Sequence, residues 1–215
     1  VATIFFRLLT DEARETYWSQ YSPYSDVKAD AWYNNAVCTL SRMGILNGYP
    51  DGTFRPDAPI TRSEFTKVAI SFFDYAEGYY VYGGEFSDVT GAEWFASYLA
   101  AALDYGLIEG MPDGTFRPLN NISRAEACTI VNRTLGREPD GDHLLSRREM
   151  ITWPDNSTSA WYYADMQEAT NSHDYYWDED DEVEEWTEKL EERDWAALER
   201  SWSNAYDAPG GEVMD

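Results

Sequence analysis

Two short segments of the sequence place an arginine inside a motif that starts a helix. Thr61 and Glu64 stand three residues apart, and so do Ser123 and Glu126. This is the spacing of a capping box, in which the hydroxyl accepts a hydrogen bond from a free helix N–H and the glutamate reaches back to the first N–H. The motif therefore explains both hydroxyl groups and both carboxylates as structural groups.

The capping box does not explain the arginine that follows each hydroxyl residue, Arg62 in one segment and Arg124 in the other. A cation in the first turn opposes the helix dipole, at a cost of roughly a few tenths of a kcal/mol. Beside free backbone N–H groups, however, an arginine completes an anion site, and its planar fork fits a carboxylate. An acidic ligand and a structural salt bridge are two open interpretations of these arginines.

The elements that position these arginines belong to a duplicated unit. Residues 26–64 recur at 88–126 with a constant offset of 62 residues and no gap. The heptapeptide Pro-Asp-Gly-Thr-Phe-Arg-Pro is identical at 50–56 and 112–118. A register this long indicates an internal repeat.

Two partial copies flank the complete ones. Residues 2–9 align with 128–135, so the chain begins inside a repeat, and the spacing of Asp26 to Trp32 survives at Asp155 and Trp161. We therefore divide the chain into the second half of a repeat at 1–22, complete repeats at 23–82 and 83–140, and a degenerate repeat with an acidic C-terminal helix at 141–215.

Each complete repeat is predicted to form a helix, a loop and a second helix. In the first repeat, the first helix runs from about Trp32 to Arg42. The Asp-Gly turn in the loop predicts a positive φ at Gly52 and Gly114. The second helix carries an apolar stripe at helical spacing, formed by Phe65, Val68, Ala69, Phe72 and Phe73.

Both ends of the chain carry similar helical spacing. One helix from about Val1 to Arg14 is predicted from the stripe Val1, Ile4, Phe5, Leu8 and Leu9. An acidic helical extension is predicted from a second stripe, Val183, Trp186, Leu190, Trp195, Leu198 and Trp202. The predicted fold class is thus mostly all-α, with tandem helix-loop-helix repeats.

The order of these motifs resembles the S-layer homology repeat of bacterial surface proteins. The resemblance rests on Asp-Val, Trp, Gly-Tyr-Pro-Asp-Gly-Thr-Phe-Arg-Pro and Ile-Thr-Arg-x-Glu. It implies non-covalent attachment to secondary cell-wall polysaccharide, often bearing an acidic pyruvate ketal, and it implies an extracellular location at the cell surface. The family's acid-binding arginine falls on Arg62 and Arg124. Ser63 replaces the usual Ala, and Met111 stands where the first repeat has Tyr49.

The resemblance also implies three lobes in a pseudo-threefold bundle with binding grooves between the repeats. This chain supplies the third helix pair split between its two ends. We therefore expect the N-terminal helix to pack near residues 155–170 and close the bundle.

Aromatic residues near the loops are candidates for sugar contact, namely Trp32, Trp94 and Tyr49. For the two tryptophans, a role as core anchors is the favoured alternative, because Trp buries a large area. The repeated loops are interpreted as structural, through Asp51, Gly52, Arg55, Asp113, Gly114 and Arg117.

The charge of the chain excludes several classes of partner. Forty acidic residues against 16 basic ones give a net charge of −24. We expect no nucleic-acid binding and no membrane insertion, because the former needs a cationic face and the latter a long apolar run. The expected partners are wall polysaccharide and other surface-layer subunits.

Two rival functions remain, a structural unit that assembles with copies of itself and a glycan-cleaving enzyme with paired carboxylates. We expect no catalysis, cofactor or metal, because His143 and His173 lie outside the repeats and Glu64 and Glu126 are explained as capping groups. The acidic run at 178–182 is interpreted as a solvated loop rather than a calcium site. Cys38 and Cys128 are expected to be buried free thiols.

Overall fold

The computed structural model describes residues 1–73, 75–76, 78–178 and 183–206, and these form two compact units. One unit comprises Val1–Ala58 with Arg193–Asp215, and the other comprises Pro59–Glu192. The first complete repeat is therefore divided between the units. Among the described residues, no helix combines the length and the apolar character needed to cross a bilayer.

The described part of the chain is mostly helical, with one small antiparallel sheet. The helices are α1 (Ala2–Leu8), α2 (Asp11–Tyr17), α3 (Asn34–Arg42), α4 (Arg62–Ile70), α5 (Ala96–Asp104), α6 (Arg124–Thr134), α7 (Tyr163–Glu168) and α8 (Trp195–Tyr206). The strands are β1 (His173–Asp178) and β2 (Val183–Lys189).

One packing pattern occurs three times. The second helix of a repeat packs against the first helix of the following copy, giving the pairs α1 with α3, α4 with α5, and α6 with α7. Each pair lies within a single compact unit. The loop between the two helices of a repeat therefore carries the chain from one helix pair to the next.

The N-terminal segment differs from its prediction, because it forms two short helices instead of one. Leu9 is extended, and the hydroxyl of Thr10 accepts a hydrogen bond from the N–H of Ala13, which starts α2. The break changes the buried face: Phe6 is fully buried, whereas Val1 and Ile4 of the predicted stripe are 41% and 46% exposed.

The core beside α1 is built from aromatic rings around a buried arginine. Phe6, Trp18 and Trp202 lie with their ring centroids 5.4–6.2 Å apart. Arg14 is 1% exposed, and its guanidinium donates to the carbonyl oxygens of Phe6 and Arg7 at 3.0 and 3.1 Å. Its Nη2 also pairs with Asp11 Oδ1 at 2.5 Å, so the buried charge has a carboxylate partner in addition to the two carbonyl oxygens.

The predicted C-terminal helical extension is wrong for Val183–Lys189, which form β2 and pair antiparallel with β1 (His173–Asp178). The aromatic run Tyr175, Tyr176 and Trp177 favours a strand, and Glu184 and Trp186 alternate with less buried neighbours along β2. The prediction holds for α8, where Trp202 is buried. Of the acidic run at 178–182, residues 179–182 lie outside the described part of the chain.

Other local predictions agree with the structure. The stripe on α4 is buried at Phe65, Val68 and Ala69, although the helix ends before Phe72 and Phe73. Both cysteines are free thiols as predicted, but only Cys38 is buried, whereas Cys128 is partly exposed.

Candidate functional site

In each repeat, an aspartate carboxylate accepts hydrogen bonds from loop N–H groups that lie 28 and 29 residues later in the sequence. In the first repeat, Asp26 accepts hydrogen bonds from the backbone N–H groups of Phe54 and Arg55 at 2.8 and 2.7 Å. In the second, Asp88 accepts the corresponding bonds from Phe116 and Arg117, both at 2.8 Å. The Asp of the Asp-Val pair is therefore a clamp for the loop, a role that the sequence did not reveal.

The loop backbone is left-handed at the predicted glycines. The φ angles are +79° at Gly52 and +76° at Gly114, which confirms the prediction. Arg55 and Arg117 also have positive φ, at 58° and 57°. This conformation is uncommon for a residue with a side chain, and the clamping carboxylate holds the N–H of each arginine in place.

The two loop arginines form ion pairs within their own loops. Arg55 Nη2 lies 2.8 Å from Asp51 Oδ2, and Arg117 Nη2 lies 2.7 Å from Asp113 Oδ2. Hydrogen bonds from the loop threonine and then from the arginine lower the pKa of both aspartates to about 2. In the first repeat, the Arg55 guanidinium also stacks on Tyr49, 4.0 Å from the ring centroid.

Both capping boxes are present at the starts of α4 and α6. Thr61 and Ser123 accept from the N–H groups of Glu64 and Glu126 at 3.3 Å, and each glutamate accepts from the backbone N–H of its capping residue at 2.8 Å. The two boxes are locally alike, so any difference between the two sites comes from their surroundings.

The start of α4 is enclosed by the loop of the second repeat. The N–H of Arg62 donates to the Asn120 oxygen at 2.9 Å, and that of Ser63 donates to the Pro118 oxygen at 3.1 Å. A β-bridge also joins Thr61 to Asn121. The backbone N–H groups at the start of α4 therefore already donate to acceptors in the protein and are not available to a ligand.

The Arg62 side chain is buried in the same contact. It is 8% exposed, pairs with Glu126 of the next capping box, and donates from Nε to the Phe116 oxygen at 2.8 Å. Its guanidinium lies over the Phe116 ring at 4.6 Å. Burial lowers the pKa of Arg62, against the opposing effect of Glu126. Arg62 thus links the α4 start to the second loop and to α6.

The start of α6 is open by comparison. The Arg124 side chain is 67% exposed, and its Nη1 lies 3.2 Å from Oδ2 of Asp155, which is 66% exposed. The backbone N–H groups of Arg124 and Ala125 have no acceptor among the residues that the structure describes. This helix start therefore combines an accessible guanidinium with free N–H donors and the positive end of an 11-residue helix.

The tryptophans at the helix starts are exposed, so the favoured interpretation of Trp32 and Trp94 as core anchors is wrong. Trp32 is 78% exposed and Trp94 is 58% exposed, and Trp161 in the degenerate copy is 69% exposed. Each stands two residues before the first residue of its helix and lies edge-on against the next aromatic ring, with centroids 5.4–5.5 Å apart. The ring of the following residue contacts the indole edge-on and leaves most of the indole exposed to solvent. The repeated aromatic pair was the sequence signal for this arrangement.

A shallow cleft of about 430 Å³ lies beside the first loop. Its lining includes Lys28, Tyr33 and Arg55, together with Asp26. Tyr33 is the ring that holds Trp32. The cleft therefore offers aromatic and cationic groups together, and Lys28 is a member that sequence reasoning missed, because a single exposed lysine carries no motif.

Comparison with known proteins agrees with these repeats. The model of the S-layer homology domain matches residues 23–66 and 85–128. Cell surface glycoprotein 1 of Acetivibrio thermocellus is 35% identical over 202 residues, which are 89% of this chain and 8% of that protein. The cellulosome-anchoring protein of the same organism is 32% identical over 194 residues, which are 88% of this chain and 41% of that protein.

A third relative, the surface layer protein of Brevibacillus choshinensis, is 33% identical over 114 residues, or 52% of this chain and 10% of that protein. The chain thus spans less than half the length of each of these three relatives.

Proposed function

The chain carries S-layer homology repeats of a bacterial cell-surface protein, and we propose that they form a non-catalytic module that binds acidic cell-wall polysaccharide. Anchoring at the cell surface is the role that the name of the cellulosome-anchoring relative indicates. The proposal further specifies that the polymer is acidic and which residues bind it.

The contrast between the two capping-box arginines carries the proposal. Arg62 has its guanidinium and its helix N–H groups bonded to protein, whereas Arg124 is 67% exposed beside two free N–H groups. We therefore assign the binding of a sugar carboxylate to Arg124 and a structural role to Arg62. A bound carboxylate would replace the exposed Asp155 on the Arg124 guanidinium, and it would gain the N–H donors that Asp155 does not use.

Exposed indole rings supply the second half of the proposed site. A sugar ring presents C–H groups that pack on an aromatic face, and polar groups at its rim fix its orientation. Trp94 and Trp161 are exposed and held by a neighbouring ring. In the first repeat, Trp32 and Tyr49 have the same proposed role beside the cleft.

The pseudo-threefold arrangement is also part of the proposal. The repeated pairing of a second helix with the first helix of the next copy supports it, because the three pairs are built alike. Closure of the bundle by α1 near residues 155–170 stays a prediction. A cysteine pair at Ile4 and Trp161 would test it, since oxidation should cross-link the pair only if the two segments adjoin.

The geometry gives little support to a glycan-cleaving enzyme. Glu126 accepts the Ser123 N–H and hydroxyl on one oxygen and Arg62 on the other. Glu64 accepts the Thr61 N–H and hydroxyl on Oε2. Both carboxylates are therefore accounted for as parts of helix caps. Self-assembly into a surface lattice remains the second candidate function, favoured by the surface layer relative.

Calorimetric titration with purified wall polysaccharide tests the site. Arg124→Ala should weaken binding by about 10- to 150-fold, which is the loss of a hydrogen bond between charged groups of about 1.5–3 kcal/mol. Arg124→Lys should recover only part of the affinity, because lysine lacks the planar fork. Arg148→Ala removes the same charge from another exposed position and is the matched control. Equal affinity of all four proteins would refute the assignment to Arg124.

A further inference from the structure

Three ionisable side chains meet inside the unit Pro59–Glu192, away from the repeated motifs. They are Glu168 at the end of α7, His173 at the start of β1 and Glu184 near the start of β2. One oxygen or nitrogen atom from each lies within 4.8 Å of the others. Glu168 and Glu184 are 1% and 4% exposed, and the His173 side chain is 3% exposed. The Trp186 ring covers the imidazole, with stacked centroids 3.8 Å apart.

The cluster contains buried acceptor atoms without donors. Glu168 Oε1 and Glu184 Oε2 accept no hydrogen bond. Most buried polar atoms in folded proteins are hydrogen-bonded, because an unsatisfied one loses its hydration without compensation. Because Glu168 Oε1 has the Arg137 guanidinium beside it, the oxygen that indicates a missing positive partner is Glu184 Oε2.

The histidine presents a lone pair to this cluster. His173 Nδ1 lies 2.8 Å from the Asn171 carbonyl oxygen, so Nδ1 carries the proton and donates to it. Nε2 is then an acceptor, and it faces Glu168 Oε1 at 3.3 Å. Two lone pairs at this distance repel each other unless a cation lies between them. Ligand atoms at about 2.0–2.1 Å from a tetrahedral zinc ion are about 3.3–3.4 Å apart, which matches the separation of Nε2 and Glu168 Oε1, and an oxygen of Glu184 lies within 4.8 Å of both.

The residues around the cluster hold its side chains in place, as the neighbours of metal ligands do. The other oxygen of Glu168 accepts from the Trp186 indole N–H at 3.0 Å, and the Asn171 carbonyl orients the imidazole. Such contacts fix metal ligands in most natural sites. Arg137 Nη1 lies 3.1 Å from Glu168 Oε1 and offsets one of the two negative charges. One buried carboxylate charge is still left over for a cation to compensate.

We propose that Glu168, His173 and Glu184 bind a divalent transition-metal ion, with zinc the best match, which fastens the β1–β2 hairpin to α7. One imidazole nitrogen with two carboxylates suits zinc better than calcium, which prefers oxygen ligands alone. The ligands come from three separate elements, so the ion would act as a cross-link in the degenerate copy. This inference is independent of glycan binding.

A shared proton is the rival explanation for the cluster. If one glutamate were protonated, its O–H could donate to His173 Nε2 and no metal would be needed. Burial raises the pKa of Glu168 and of Glu184, which favours such a protonated carboxyl group.

Titration of the metal-stripped full chain with Zn²⁺ and Co²⁺ distinguishes the two explanations. We expect one ion per chain, a Co²⁺ absorption spectrum of tetrahedral or five-coordinate type, and an increase in Tm of about 5–10 °C at a hundredfold excess over Kd. Glu184→Gln is nearly isosteric, and with His173→Gln it should abolish both signals. Glu188→Gln and His143→Gln are the matched controls, and they should bind as the parent does.

Several results would overturn the metal site. These are the absence of stoichiometric binding by the stripped parent chain, equal binding by the Glu184→Gln variant, or a Tm that responds to pH but not to zinc. If His173→Gln does not fold, the Glu184→Gln variant and the stoichiometry of the parent chain still decide the question.

Discussion

Replacement of Arg62 by alanine should destabilise the unit Pro59–Glu192 while changing no exposed group. The Arg62 side chain is 8% exposed, and its guanidinium contacts the Phe116 carbonyl, the Phe116 ring and the Glu126 carboxylate. Its loss leaves a buried carbonyl without a donor and a carboxylate without its cation. These are the two consequences that make broken internal ion pairs costly.

The size of the effect follows from these contacts. Breaking a fully buried ion pair costs about 3–5 kcal/mol. The Glu126 side chain is 22% exposed and can regain some water, so we expect about 2–4 kcal/mol for Arg62→Ala. For a chain of this length, that corresponds to a decrease in Tm of roughly 5–15 °C.

Thermal unfolding followed by circular dichroism measures this change, with Arg124→Ala as the control. The control breaks a pair whose partners are 67% and 66% exposed, and exposed pairs contribute about 0–1 kcal/mol. A double-mutant cycle of Arg62→Ala with Glu126→Gln should show a coupling energy of about 1–3 kcal/mol. If Arg62→Ala melts no lower than Arg124→Ala, the structural role of Arg62 is refuted.

Two further predictions concern the second loop. Gly114→Val should destabilise the fold by more than about 1 kcal/mol in urea unfolding, because valine disfavours a φ of +76° even though its Cβ would meet nothing within 4 Å; a smaller loss would contradict the backbone argument. The folded pKa of Asp113 is about 2, below its unfolded value of about 3.9, so its contribution to stability is complete above pH ~4 and is lost as the pH falls towards ~2. The difference in Tm between the parent and Asp113→Asn should therefore shrink over that range, and a constant difference would contradict the ion pair.

Features fixed by neighbouring residues could be predicted from the sequence. The capping boxes, the positive φ of Gly52 and the buried stripe of α4 depend on residues within one or two helical turns. In each case, all the residues that produce the feature lie within the local sequence pattern. The same holds for α8, whose stripe ends on the buried Trp202.

Features that depend on distant partners could not be predicted. Arg62 is buried by Glu126, which lies 64 residues away, and nothing in the motif distinguishes it from the exposed Arg124. The cluster around His173 joins a helix and two strands with no regular ligand spacing.

The hairpin shows how a periodic pattern can mislead. Val183, Trp186 and Leu190 have helical spacing, but Val183–Lys189 pair with β1 as a strand, with Trp186 opposite Tyr175, and Leu190 lies beyond the end of that strand. The predicted core role of Trp32 failed for a related reason. Size favours burial of an indole, but the ring at Tyr33 can hold it in place while it stays 78% exposed.

The central claim is that the repeats hold wall polysaccharide through its acid groups. Titration of the parent chain with native polysaccharide and with the same polymer after reduction of its carboxylates to alcohols tests it most directly. We predict saturable binding to the native polymer and at least a tenfold loss of affinity for the reduced one, because a neutral hydroxyl replaces the charged partner of Arg124. Equal affinity for both polymers, or no binding to either, would contradict the account.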